Sequence, residues 1–247
     1  RSCFATECNI NKLAEMAGLS PWEMRFRNAI RPNDTLPNGQ IADESTALEE
    51  TLLAVKEICE KNPQAGIACA MKNAGLGVGV PDFGRCCLRV KEGKVHIATS
   101  AACIGQGMGT VATQMFCDVS GVSPENVVHD PADSFYTPDS GNTTASRQTV
   151  ITGEAVCRAA LKFKEAAMDK SLAELEGYEF YAEFESVTDK MGSDKPHPVS
   201  HISYGYATQV AELDANGKLK RLIAVHDVGK AINPKSVVGQ IEGGVVM

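Results

Sequence analysis

No run in this 247-residue sequence approaches the roughly 18 to 20 apolar residues needed to cross a bilayer, which excludes a helical membrane span. Positive charge is in short supply. With 24 Lys and Arg against 31 Asp and Glu, the net charge is −7, and nonspecific nucleic-acid binding by phosphate neutralisation is excluded. The 22 glycines and 11 prolines keep no short period, which removes collagen-like and low-complexity classes. Familiar catalytic signatures are missing too. There is no Gly-Lys-Ser/Thr of a phosphate-binding loop, no Gly-x-Ser-x-Gly elbow and no His-Glu-x-x-His zinc helix.

Nor do the nine cysteines make a disulfide framework. Their number is odd, and Cys69 and Cys117 sit in apolar stretches, as small buried hydrophobes of a reducing compartment do. No signal or transit peptide is read at the start, so a cytoplasmic protein is expected. Cys3 and Cys8 lack a further Cys at the plant-type iron–sulfur spacing. Adjacent Cys86 and Cys87 point to opposite faces of a strand. His197, His201 and His226 lie too far apart in sequence to make a metal motif, and no side-chain metal ligand is expected.

Against these absences stands a chain that is 43% hydrophobic and 22% charged, enough to bury a core and too apolar to stay disordered. Asn9–Ala17 has helical spacing, with Leu13, Met16 and Ala17 on one side and Gly18 as its stop. Ser20-Pro21-Trp22-Glu23 has the form of a capping box opening a helix that ends near Ala29. Asn33–Gln40 is turn-rich. Leu48, Leu52, Val55 and Cys59 predict one amphipathic helix over Asp43–Asn62, its glutamates forming the solvated face. Strands are expected at Gly66–Lys72, Cys86–Val90, Val95–Ser100, Val127–His129 and Glu179–Glu185. A helix with Val111, Met115 and Val119 follows Gly105–Gly109, and a long helical stretch runs from Ser146 to about Leu175, bent near Gly153. Tyr204–Asp214 and Leu219–Asp227 form a hairpin, and Asn233-Pro234 opens the last helix. The mixed order of strands and helices predicts an α+β fold, with mixed sheets and packed helices. Arg1 enters directly into patterned sequence and the last residues stop inside an apolar segment. The chain therefore reads as a piece of a larger protein.

Two segments have the composition of a binding site. Gly105-Gln106-Gly107-Met108-Gly109-Thr110 joins a strand to a helix, where glycines let backbone amides approach an anionic ligand. A plain strand–helix turn has the same composition. Pro138–Thr149 is a run of small hydroxyl residues entering a helix, a neutral cradle for phosphate or pterin-like polar edges, with Arg147 available to add charge. A Ser/Thr-rich loop ending in an N-cap is the alternative. Two such segments in one chain favour an extended ligand with several polar groups.

At these segments the sequence resembles the molybdopterin-binding subunit of the xanthine dehydrogenase and aldehyde oxidoreductase family. Arg1–Glu7 resembles the family's Arg-x-Phe-Gly loop, and Leu19–Asn28 its Gly-Leu-x-Pro-x-Glu-x-Arg-x-x-Asn helix. Gly105-Gln106-Gly107 and Pro138–Thr149 resemble the two cofactor loops. His226-Asp227-Val228-Gly229, Asn233-Pro234 and Gly239–Gly243 resemble a third. Lys195–Gln209 and Gly229-Lys230 look most like bacterial xanthine dehydrogenases, and the Arg-Pro-Asn-Asp-Thr stretch also resembles aldehyde oxidoreductases.

The resemblance implies a fragment of a molybdenum hydroxylase that converts a purine, xanthine to urate, with oxygen from water; an aldehyde oxidoreductase is the alternative. It implies a molybdenum–molybdopterin cofactor, plain or as the cytosine dinucleotide, with iron–sulfur clusters and FAD on partner domains or subunits of an oligomer. By the same resemblance Gln106 and Gly107 meet the pterin. Thr143, Thr144, Ser146, Gln148 and Thr149 hold its phosphate-bearing part. Arg1 and Ala145 line the metal, and Gln240 contacts its oxo or sulfido side. Residues 1–64 would end a first molybdopterin-binding subdomain and 65–247 begin a second, and Gly75–Asp82 would border the substrate. Cys3 stands where the family has Phe, and Phe4 where it has Gly. The family's general-base glutamate falls beyond Met247, so no catalytic residue is assigned and the isolated chain is expected to be inactive. A scaffold that kept the fold without the chemistry, and an α+β domain with coincidental loops, are the competing readings.

Overall fold

The computed structural model describes residues 2–247 and divides them into two compact units. The first holds the chain up to Asn73, with Ser193–Val199 and Ser203–Lys230; the second holds Ala74–Gly192, Ser200–Ile202 and Ala231–Met247. Helices and sheets mix in both, as the α+β expectation requires.

The first unit opens with α1 (Ser2–Met16) and α2 (Pro21–Asn28). Ser2–Glu7, expected as a loop, forms the first turns of α1. The Glu7 carboxylate ties those turns down, accepting from Arg25 Nε and from the Cys69 amide, each at 2.9 Å. Leu13 and Met16 do not mark the buried side: both are exposed, and Ala14 is the buried residue. The α2 cap is as expected, with Ser20 Oγ accepting from the Glu23 amide at 3.0 Å. Its reciprocal half does not form, because the Glu23 carboxylate turns to Arg27 Nε at 2.6 Å.

The single helix expected over Asp43–Asn62 is two, α3 (Leu48–Leu53) and α4 (Lys56–Lys61). Asp43 forms an Asx turn onto Ser45, which delays the start, and the Val55 amide bonds back to Leu52 O, three residues away, which breaks the α register. Leu52 and Val55 are both completely buried. These helices cover a three-stranded sheet of order β1 (Gly66–Ala74), β6 (Ser203–Leu213), β7 (Leu219–Asp227). Its core holds Trp22, whose indole donates to Leu52 O at 2.8 Å, with Leu48, Ile67, Tyr206 and Val210.

The second unit is built on a four-stranded sheet of order β4 (Val127–His129), β3 (Lys94–Ala98), β2 (Asp82–Lys91), β5 (Glu179–Ser186). β2 and β3 meet in a tight hairpin at Glu92-Gly93, both in the left-handed region. β4 runs parallel to β3, which places α5 (Met108–Ser120) as the crossover between them. The helix α6 (Gln148–Ala166) lies on the same sheet face and ends nine residues short of Leu175, in turns that bring Leu175 into the core. Cys86, Leu88, Ile97, Phe116, Ala155, Ala159 and Phe163 pack between the sheet and these two helices. Gly153 is the residue against which Met115 packs: a methyl there would lie 2.7 Å from its sulfur. The last helix, α7 (Pro234–Val246), is capped by Asn233 Oδ1, which accepts from the Ser236 amide at 2.9 Å, and buries none of its residues.

Candidate functional site

The β3–α5 connection is a turn with two left-handed glycines, Gly105 (φ 110°) and Gly107 (φ 82°), the second capping α5. Gln106 closes the turn on itself. Its Oε1 accepts from the Ile104 amide at 2.6 Å and its Nε2 donates to Ala102 O at 3.1 Å. That leaves one amide N–H of Gln106 free to donate.

The hydroxyl-rich run meets the same point. Thr143 Oγ1 donates to Ala102 O at 2.7 Å, so one carbonyl joins the two segments singled out from the sequence. Behind Thr143 stands Gln148, whose Nε2 donates to Thr143 Oγ1 at 2.9 Å and whose Oε1 accepts from the buried Thr152 hydroxyl. Thr143 and Gln148 thus spend their polar groups shaping the cradle. Thr144, Ser146 and Thr149 are exposed, and their hydroxyls have no partner among the described residues. Ala145 (φ 49°) and Ser146 (φ 55°) are both left-handed, a strained arrangement for two consecutive non-glycine residues.

Arg147 does not add charge to the cradle. Its side chain is 2% exposed and pairs with the fully buried Asp82 at 2.5 Å, so its charge does not reach the cradle surface. Gln240 lies on α7, whose first turn approaches the glycine turn: a methyl on Gly107 would sit 3.6 Å from Ser236 Oγ. Gln240 itself is exposed and makes no side-chain hydrogen bond among the described residues. Arg1 lies outside the described residues.

Asp82 ends the segment expected to border the substrate, but its pairing with Arg147 is not read from the sequence. Cys103, exposed and two residues ahead of the glycine turn, escapes the sequence reading. The amides of Gly105, Met108, Gly107 and Gly109 converge on its sulfur and hold the thiol below its ordinary pKa. Cys86, by contrast, is pushed far up by burial, and burial raises Cys69 to about 11. Cys103 is therefore expected to react with iodoacetamide faster near neutral pH than the other exposed thiols, Cys3 and Cys8. Peptide mapping of partially alkylated protein checks this, and equal labelling of the three contradicts the amide assistance.

The histidines do not assemble. His96 pairs with Asp130 at 2.8 Å, while His129 and His226 each bury an Nε2 that has no partner among the described residues, and burial lowers both pKa values. No three His, Cys, Asp or Glu side chains among the described residues are grouped to hold a metal ion.

A family model described as a molybdopterin cofactor-binding domain matches residues 42–177 and 163–247. The aldehyde oxidoreductase of Megalodesulfovibrio gigas is 28% identical over 99% of this chain and 30% of its own length. The xanthine dehydrogenase molybdenum-binding subunit of Escherichia coli is 27% identical over 99% of this chain and 39% of its own. The crystal structure of the aldehyde oxidoreductase from Desulfovibrio desulfuricans superposes with a TM-score of 0.84 at 27% identity, over 98% of this chain and 30% of that one. The chain thus spans between 30% and 39% of the length of these relatives.

Proposed function

The chain belongs to the molybdopterin cofactor-binding domain family of the molybdenum hydroxylases, and from that premise we propose that it supplies the neutral cradle for the pterin in a hydroxylase acting on a purine. The observation that carries the reading is the Ala102 carbonyl shared by Gln106 and Thr143. It draws two segments some forty residues apart in the chain into one surface.

The residues present fit such a ligand. Free hydroxyls on Thr144, Ser146 and Thr149, the spare N–H of Gln106 and the approachable backbone at Gly107 are uncharged donors suited to pterin edges and phosphate oxygens. In this reading Gln106 and Gly107 bind the pterin, and Thr144, Ser146 and Thr149 donate to its phosphate-bearing part. Thr143 and Gln148 hold those donors in place. Ala145 and Gln240 are assigned to the metal side, as the family resemblance also implies for Arg1. When bound, the molybdopterin supplies the two-electron centre at which a water-derived oxygen reaches the substrate carbon. The chain's own share is orientation: donors fixed before binding lose little on ordering and need no reorganisation.

The base that activates water is assigned to polypeptide outside this chain, and iron–sulfur and FAD groups to partner domains or subunits of a cytoplasmic oligomer. The 64/65 subdomain division belongs to the same proposal. Xanthine is proposed from the likeness of Lys195–Gln209 and Gly229-Lys230 to bacterial xanthine dehydrogenases. An aldehyde is the second reading, favoured by the oxidoreductases named above. Steady-state assays of the full-length protein with its partner subunits separate the two. Turnover of xanthine well above that of benzaldehyde is expected, the reverse order selects the aldehyde, and no turnover of either supports the scaffold.

A further inference from the structure

Arg147 and Asp82 are too deep to touch a ligand, yet their bonds tie the start of β2 to two loops of the cradle. Arg147 Nε meets Asp82 Oδ1, Nη1 donates to Ser140 O at 2.6 Å and Asn142 O at 3.0 Å, and Nη2 donates to Phe83 O. The other Asp82 oxygen accepts from the Leu76 amide at 2.8 Å. Next to it the Gly75 amide donates to Ala145 O at 3.0 Å, which stitches the segment before β2 to the turn before α6.

Space is tight around the pair. A methyl on Gly141 would lie 3.2 Å from Arg147 Nη1, and one on Gly75 would lie 3.1 Å from Asp82 Oδ2. The two segments it joins hold three of the five non-glycine residues with positive φ among the described residues. Ala145 and Ser146 are left-handed in one, and Gly77, Val78 and Gly79 in the other, where a β-branched residue at φ 45° is a rare outlier. Strain of this kind persists only where surroundings over-determine it, and it concentrates at ligand clamps. A buried ion pair adds little net stability over apolar residues of similar volume, so its worth lies in what its directed bonds fix.

We propose that Asp82 and Arg147 are a positioning pair that holds the Ala145-Ser146 turn and the adjoining Gly75–Val80 loop in the shape that receives the cofactor. This rests on the molybdopterin reading above. Three forms of the full-length protein with its partner subunits test it: wild type, Arg147→Lys and the double variant Asp82→Leu/Arg147→Met. Molybdenum per protein, melting temperature and hydrogen exchange at the Gly75 amide are read in each.

Lysine keeps the charge but loses the planar fork that reaches three carbonyls. Arg147→Lys is expected to melt close to wild type, to carry about tenfold less molybdenum and to exchange faster at Gly75. The apolar double variant is expected to melt within a few degrees of wild type and to carry as little molybdenum as the lysine form. A double variant with wild-type molybdenum and wild-type protection at Gly75 would overturn the positioning role and leave the cofactor reading standing. A wild-type protein without molybdenum overturns the cofactor reading and this proposal with it.

Discussion

Gly84→Val is expected to abolish folding, and Gly84→Ala to cost about 3 kcal/mol, the upper end of typical overpacking penalties. Gly84 sits opposite Phe184 in the β2–β5 ladder, under α6. A methyl at Gly84 would lie 2.6 Å from both Ile151 O and Thr152 Cα. Neither is the end of a flexible side chain that can swing away. The helix cannot retreat as a body either, since Ala155, Val156, Ala159 and Ala160 are fully buried on the same sheet. A domain with about 5 to 15 kcal/mol of total stability tolerates one such clash and fails with a branched side chain. Urea unfolding of the alanine form checks this, and a loss below about 1 kcal/mol would show that α6 yields more easily than its packing implies. The effect reaches the cradle as well, because the first turn of α6 carries Gln148 and Thr149.

Gln106→Ala is expected to do the reverse, sparing the fold and emptying the site. Its side chain is only partly buried, so losing its two bonds costs about 1 to 2 kcal/mol. Both bonds, however, close the turn that presents Gly105 and Gly107, and the spare N–H disappears with them. Molybdenum content of the full-length protein is expected to fall about tenfold or more, with a melting temperature only slightly lowered. Gln106→Glu keeps the acceptor for Ile104 but loses the donor to Ala102, so it is expected to fall between wild type and alanine. Equal molybdenum in all three proteins would remove Gln106 from the site.

Local signals in the sequence were reliable where one residue type has one job. The Ser20 and Asn233 caps and the three-residue strand Val127–His129 all lie where spacing and turn chemistry put them. Local signals failed where tertiary bonds overrode periodicity. The Asp43–Asn62 pattern is helical throughout, but the Asx turn at Asp43 delays the helix and the Val55 amide bonds to Leu52 O, a break that apolar spacing does not report. Leu13 and Met16 looked like a core face because apolar spacing reports amphipathicity and not what covers it.

At the site, the two cradle segments were visible as composition, but their meeting at Ala102 was not. The Arg147–Asp82 pair joins residues sixty-five apart in the chain, and no local pattern reports such a bond. Cys103 carries no metal or disulfide spacing in the sequence. Its flanks Ala101, Ala102 and Ile104 are apolar, and a cysteine just ahead of a glycine turn and a helix start is the signal that marks it.

The most direct test is a crystal structure of the cofactor-loaded full-length protein. The account predicts pterin density within about 3 Å of the Gln106 amide and of at least one hydroxyl among Thr144, Ser146 and Thr149. Density for the pterin elsewhere, with these four side chains facing solvent, would contradict it.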